Sequence, residues 1–170
     1  MRFIFTGPES SGKSTFSSAA YQKWGGGVVT EIARNYLKEI GKNYTFEDVQ
    51  MIGKLQMTEE YLVSSNQTIT WCDTDIITVL IWSIDKFGKV DESLSRIWLE
   101  LDKTDRIYFL CYPDIPWESD PLRENPYDRE RIFLLYQSFL NDHQLDYFVL
   151  RGDFEKKRKM IEEVFLQKVV

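Results

Sequence analysis

The segment Gly7-Pro8-Glu9-Ser10-Ser11-Gly12-Lys13-Ser14-Thr15 constrains this chain more than any other. It follows an apolar run, Arg2–Thr6, that reads as a strand. It precedes a stretch from Lys13 to about Trp24 that reads as a helix. A strand that turns through glycines into a helix makes a cradle for phosphate. The glycines let the backbone turn so that successive N–H groups point at phosphate oxygens, and the helix adds the positive end of its dipole. The spacing fits G-x-x-x-x-G-K-[ST], in which the lysine reaches the β- and γ-phosphates and the next hydroxyl ligates Mg²⁺. Gly7, Glu9, Ser10, Ser11, Gly12, Lys13, Ser14 and Thr15 are the candidate nucleotide-binding residues, with Ser14 the first candidate metal ligand.

The rest of the chain repeats the alternation. Gly25-Gly26-Gly27 breaks the first helix, and Val28–Glu31 reads as a second strand. Helices are expected over Ile32–Ile40 and Phe46–Ser65, the latter started by Thr45 with Asp48. Thr68–Cys72, Arg106–Tyr112 and Tyr147–Leu150 read as further strands. Helices from about Ile76, over Glu92–Leu101, over Asp128–Leu140 and from about Phe154 fill the gaps. Strands separated by helices mean βαβ units, a parallel sheet and right-handed crossovers. With 43% hydrophobic residues among 170, the chain can bury a core without disulfides. It is expected to form one domain. Cys72 and Cys111 both lie in apolar runs and read as buried thiols of a reducing compartment, the cytoplasm.

Acids end two of the strands. Asp73 closes Thr68-Ile69-Thr70-Trp71-Cys72, where a carboxylate at the C-terminal edge of the sheet can hold Mg²⁺ directly or through water. Asp75 either joins it or caps the next helix. Glu31 ends the second strand, where a base suits phosphoryl transfer and an acid also suits a helix start. Arg34, three residues on, can steer an anion or pair with Glu31. Four of the five prolines fall between Pro113 and Pro126, so the stretch of about 113–127 reads as a mobile lid. On it, Arg123 can neutralise charge on a transferred phosphoryl group, and Trp117 can stack on a substrate or pack against the domain. Arg129 and Arg131 read as solvated, His143 as a helix-end residue and Lys156–Lys159 as a solvated helix face.

Other classes are disfavoured. Net charge is −6 with no long basic run, which argues against a nucleic-acid or anionic-membrane partner. No apolar run is long enough to span a bilayer, and the start is too short for a signal peptide. A nucleotide-dependent switch would want an N/T-K-x-D element after a strand. The nearest match, Asp102-Lys103-Thr104-Asp105, precedes one, and Asp85-Lys86-Phe87-Gly88 follows a helix rather than a strand.

With these residues in view, the chain resembles the NadR-type nicotinamide riboside kinase domain, a branch of the P-loop nucleoside and nucleotide kinases. The resemblance rests on Gly7–Thr15, on Glu31-x-Ala33-Arg34-x-Tyr36, on Asp73-Thr74-Asp75, and on Pro116-Trp117 with Asp120 and Arg123. It implies a three-layer α/β P-loop NTPase fold with a five-stranded sheet ordered 2-3-1-4-5. It implies transfer of the ATP γ-phosphoryl to the 5′-hydroxyl of nicotinamide riboside, giving NMN for NAD salvage. By the same resemblance Lys13 and Ser14 handle ATP and Mg²⁺, Asp73 serves metal or acceptor, and Glu31 serves the acceptor. Arg123 serves the phosphates, while Arg34, Tyr36, Asp75 and Trp117 are candidate substrate contacts. Bifunctional NadR proteins carry an adenylyltransferase domain before the kinase; with Met1 followed at once by a strand, none is expected here. The aromatic residue that precedes the matching glutamate is Thr30 in this chain, and Tyr36, Tyr44 or Trp117 can take its place over a flat base. The base is expected between the lid and Phe46–Ser65, near Gln56 and Met57. A kinase for another nucleoside or small alcohol, or a nucleotide-binding regulatory ATPase, remains the alternative.

Overall fold

The computed structural model describes residues 1–41, 43–124 and 127–169. The chain runs β1 (Arg2–Thr6), α1 (Lys13–Trp24), β2 (Gly27–Val29), α2 (Ile32–Ile40), α3 (Phe46–Ser64) and β3 (Thr70–Asp73). It continues through α4 (Ile76–Phe87), α5 (Glu92–Glu100), β4 (Arg106–Cys111), α6 (Arg129–Asp142), β5 (Tyr147–Leu150) and α7 (Phe154–Val169). The five strands form one parallel sheet in the order β2-β3-β1-β4-β5. This is the expected fold, a three-layer α/β arrangement with a phosphate-cradling loop leaving the central strand.

Alternation along the strands makes the two outer layers, because successive side chains point to opposite faces. Phe3, Phe5, Trp71 and Phe109 are fully buried on one face, against Phe16 and Ala20 of α1 and Ile161, Val164 and Phe165 of α7. Ile4, Cys72, Tyr108 and Leu110 face the other way, into a core with Val49 and Ile52 of α3, Ile76, Ile77 and Leu80 of α4, and Phe133 and Tyr136 of α6. Every residue of β3 and β4 is buried, as a parallel sheet covered on both faces requires. Cys72 and Cys111 are buried and free.

Among the strand ends that differ from expectation, those of β2 and β3 matter to the site. β3 starts at Thr70 and includes Asp73, because its ladder with β1 runs Arg2↔Thr70 through Phe5↔Asp73. Pairing with a central strand outweighs the poor strand propensity of aspartate. β2 ends at Val29, opposite Cys72. Beyond that register Thr74 turns β3 away with φ of 70°, leaving Thr30 and Glu31 no ladder partner. Glu31 therefore sits just before α2, with φ −67° and ψ 106°. The Thr45 hydroxyl and the Asp48 carboxylate cap α3 reciprocally, as the sequence predicts.

Candidate functional site

The loop between β1 and α1 has the shape its glycines permit. Gly7 lies at φ 127°, and a Cβ there would stand 2.7 Å from the Cys111 carbonyl oxygen of the neighbouring strand. Gly12 is left-handed at φ 92° and starts α1. The Ser11 hydroxyl donates to the Pro8 carbonyl at 2.7 Å, and the Lys13 ammonium donates to the same oxygen at 2.8 Å. α1 has no side-chain cap at its start and no acid in its first turn. Its leading N–H groups therefore face a cavity as unopposed donors, the arrangement that favours an anion. That cavity measures about 680 Å³ and is lined by Glu9–Thr15, Thr30, Glu31, Arg34, Asp73, Ile115 and Arg123, among others.

The two acids meet at its floor. Asp73 is 6% exposed, and its Oδ1 is buried without a hydrogen-bond partner. Burial raises its carboxyl above the ordinary range, while the Lys13 ammonium and a hydrogen bond from Ser14 pull it down. Glu31 is raised by burial and by the Asp73 charge, against the pull of Lys13, Arg34 and Arg123. Lys13, Glu31, Asp73, Arg34 and Arg123 thus act on one another electrostatically in one place. The Asp73 oxygen with the Ser14 hydroxyl fits Mg²⁺, which takes few protein ligands and shares the rest with phosphates and water. Among the described residues no group of three or more His, Cys, Asp or Glu could hold a metal.

A second cavity, about 180 Å³, shares Lys13 and Glu31 with the first. Its walls include Tyr44, Gln56, Trp82, Asp85, Leu122 and Tyr136. Tyr44 packs edge-on against Trp82, 4.9 Å between centroids, and accepts a hydrogen bond from its indole N–H at 3.0 Å. Two of the acids that line it are paired, Glu124 with Lys86 at 3.0 Å and Asp85 with Arg131 at 2.5 Å.

The stretch after β4 contributes Leu122 to both cavities and touches the phosphate-cradling loop. Glu9 accepts from the Trp117 indole at 3.1 Å and from the Glu124 backbone N–H at 3.0 Å. Arg34 pairs with Asp120 at 3.1 Å, and Arg123 donates to the Glu118 carbonyl at 2.7 Å. Arg129 donates to the Ser10 and Ile115 carbonyls, both at 3.0 Å, so it ties the loop after β1 to the stretch after β4 rather than standing in solvent. No sequence pattern marked it, since the contact joins residues 119 apart. Asn125 and Pro126, within the expected lid, lie outside the described residues.

Several expected contacts fall elsewhere. Asp75 is fully buried away from the cavities; it caps α4 through Ile77 N–H and binds Arg106 and the Tyr108 hydroxyl. Tyr36 lines neither cavity and donates to Asp48 at 2.9 Å. Trp117 touches Glu9 but lines neither cavity, and Met57 packs against the core. Thr30 lines the larger cavity and Gln56 the smaller. Arg131 is paired with Asp85 and Asp128. Lys157 is not part of a solvated face: it is 1% exposed and paired with Asp114, whose other oxygen takes the Gly152 N–H. His143 stacks on Phe139 at the end of α6, as a helix-end residue does.

The sequence matches the AAA domain family over residues 2–157. No curated protein matches it. Among solved structures, it is similar to deoxyadenosine kinase from M. mycoides with the products dCMP and a flexible dCDP bound. The two are 16% identical at a TM-score of 0.71, over 98% of this chain and 100% of that one. It is similar to NadR in complex with NR, 16% identical with a TM-score of 0.74, over 99% of this chain but 51% of that one. This chain therefore spans about half of the NadR length. It is also similar to YorR from Bacillus subtilis in complex with phosphorylated GDP, at 15% identity and a TM-score of 0.59, over 99% of this chain and 96% of that one. At these identities the likeness is one of fold. No helix among the described residues is long and apolar enough to cross a membrane.

Proposed function

From the premise that this chain belongs to the AAA domain family, we propose that it is an ATP-dependent kinase of a nucleoside, with nicotinamide riboside the acceptor. The observation that carries the reading is the shared wall of two cavities. Lys13 and Glu31 border both the phosphate-cradling cavity and the smaller aromatic-walled one. A donor in the first and an acceptor in the second meet across an ammonium and a carboxylate.

In this reading the α1 N-terminus and the loop amides bind the ATP phosphates, and Lys13 neutralises charge at the β/γ bridge. Ser14 and Asp73 hold Mg²⁺, which supplies charge neutralisation to the phosphates. Glu31 accepts the proton of the acceptor's 5′-hydroxyl as its oxygen attacks the γ-phosphorus. The bond from that phosphorus to the bridging oxygen breaks, and ADP leaves. Arg123 and Arg34 face the same charge. Trp82 and Tyr136 line the acceptor cavity and can contact a flat cationic base, an attraction worth about 0.5–2 kcal/mol, whereas the Tyr44 ring already carries the Lys86 ammonium 3.8 Å from its centroid. Asp85 and Glu124 are already paired, which leaves the rings and the Glu31 carboxylate to meet the cation.

We also propose that one domain comprises the chain and that residues 113–127 act as a lid, held to the loop by Glu9 and shutting out water during transfer. Slower tryptic cleavage at Arg123 with an ATP analogue and acceptor present is the expected sign; equal cleavage in both states would argue against closure. The function is tested by a panel of nucleosides scored for acceptor-dependent ADP release. Nicotinamide riboside should lead the panel. A uridine or adenosine preference would move the acceptor, and ADP release independent of any acceptor would favour a regulatory ATPase.

A further inference from the structure

Glu31 lies in a stretch that regular structure does not hold. It follows a three-residue strand, beyond the last paired residue Val29, and it precedes α2 without a side-chain capping bond of its own. The Ile32 N–H opens α2 and has no intrahelical acceptor. The Thr30 carbonyl lies past the β2–β3 ladder. A carboxylate here needs its backbone fixed from outside.

Gln56 does this from α3. Its side chain is 2% exposed. Its Oε1 accepts from the Ile32 N–H at 3.0 Å, and its Nε2 donates to the Thr30 carbonyl at 3.4 Å. These two groups belong to the peptide units on either side of Glu31. One primary amide therefore spans the residue, meeting donor with acceptor and acceptor with donor, and ties the carboxylate's backbone to a nineteen-residue helix.

We propose that Gln56 is the positioning residue for Glu31, setting where its carboxylate stands between the two cavities. This rests on the reading of Glu31 as the proton acceptor. Gln56 also lines the acceptor cavity, so the rival role is recognition of the acceptor's base. The bonds already made distinguish the two. The Oε1 and Nε2 atoms each already hold one backbone partner on either side of Glu31, which fixes the amide's orientation to that segment, so its effect reaches the reaction through Glu31.

The test is a double-mutant cycle of Gln56→Met with Glu31→Gln, read as kcat and acceptor KM over the nucleoside panel. Misplacement of a reacting group by about 1 Å costs up to about 100-fold. Gln56→Met should accordingly lower kcat by about 10- to 100-fold, leaving acceptor KM and the order of the panel within about twofold. In the Glu31→Gln background the same change should cost less than about twofold. Equal losses in both backgrounds, or a raised KM with a reordered panel at unchanged kcat, would overturn the inference. Full turnover by Glu31→Gln alone would instead overturn the reading of Glu31 and take this inference with it. Gln56→Glu gives a second handle should Gln56→Met fold poorly. It keeps an acceptor for Ile32 N–H, loses the donor to Thr30, and adds a charge beside Glu31. The acidic limb of the pH–rate profile should then move to higher pH; an unmoved limb contradicts the placement.

Discussion

Replacing Arg106 with leucine should destabilise the fold in a way that depends on pH. The guanidinium is fully buried between two buried acids, pairing with Glu60 and, at 3.3 Å, with Asp75. Leucine fills part of the volume and removes the charge. Glu60 keeps Arg2 at 3.2 Å, and Asp75 keeps the Tyr108 hydroxyl at 2.9 Å and Ile77 N–H at 3.1 Å. Breaking a buried pair costs about 3–5 kcal/mol, and these remaining partners place Arg106→Leu near the lower end at pH 7. Burial already pushes the Asp75 carboxyl up to about 6 with the guanidinium beside it. Without it, the folded protein holds a proton that the unfolded chain releases near pH 4. Stability then falls as pH rises above that value, by about 1.4 kcal/mol per pH unit for each such proton, until the folded carboxyl ionises. Urea unfolding followed by circular dichroism at pH 5 and pH 7 reads this directly. The deficit against wild type should be larger at pH 7. A deficit below about 1 kcal/mol at pH 7, or a larger one at pH 5, would mean that the buried Arg106 charge does not hold these acids.

Lys13→Ala should abolish turnover and weaken ATP binding while leaving the thermal midpoint nearly unchanged, because the ammonium's one contact within the loop is the Pro8 carbonyl; normal turnover by the folded variant would sink the kinase reading. Asp73→Asn should lower kcat and blunt the Mg²⁺ dependence, whereas Asp75→Asn should lower the unfolding free energy first, since Asp75 faces Arg106 and Tyr108 rather than a cavity; the reverse pattern would exchange their roles. The acidic limb of kcat/KM should lie above the ordinary carboxylate range, because Glu31 must be deprotonated to accept a proton and burial raises its carboxyl. A limb near pH 4 that Glu31→Gln leaves in place would assign it to another group.

What the sequence made legible was local. The Gly7–Thr15 loop needs only its own glycines and the strand and helix beside it, and Thr45 with Asp48 needs only three residues of spacing. The sheet order followed from the resemblance, not from hydrophobic pattern. Long-range pairing was not legible. Asp75 looked like a site acid because it neighbours Asp73; Arg106, 31 residues on, is what draws it into the core. Lys157 looked solvated among like charges until Asp114, 43 residues earlier, covered it. Tyr36 sits in the matching motif, yet the helix phase turns it towards Asp48. Gln56 was expected near the base, but its bonds to Thr30 and Ile32 depend on where β2 stops, and a ladder register sets that.

Phosphoryl transfer to a nucleoside hydroxyl across the wall formed by Lys13 and Glu31 can be watched by phosphorus NMR of the protein with ATP, Mg²⁺ and nicotinamide riboside. A new phosphomonoester resonance coupled to the ribose 5′-methylene protons should grow as ADP forms and be absent with Glu31→Gln. ADP appearing with inorganic phosphate alone, at the same rate with and without the nucleoside, would contradict it.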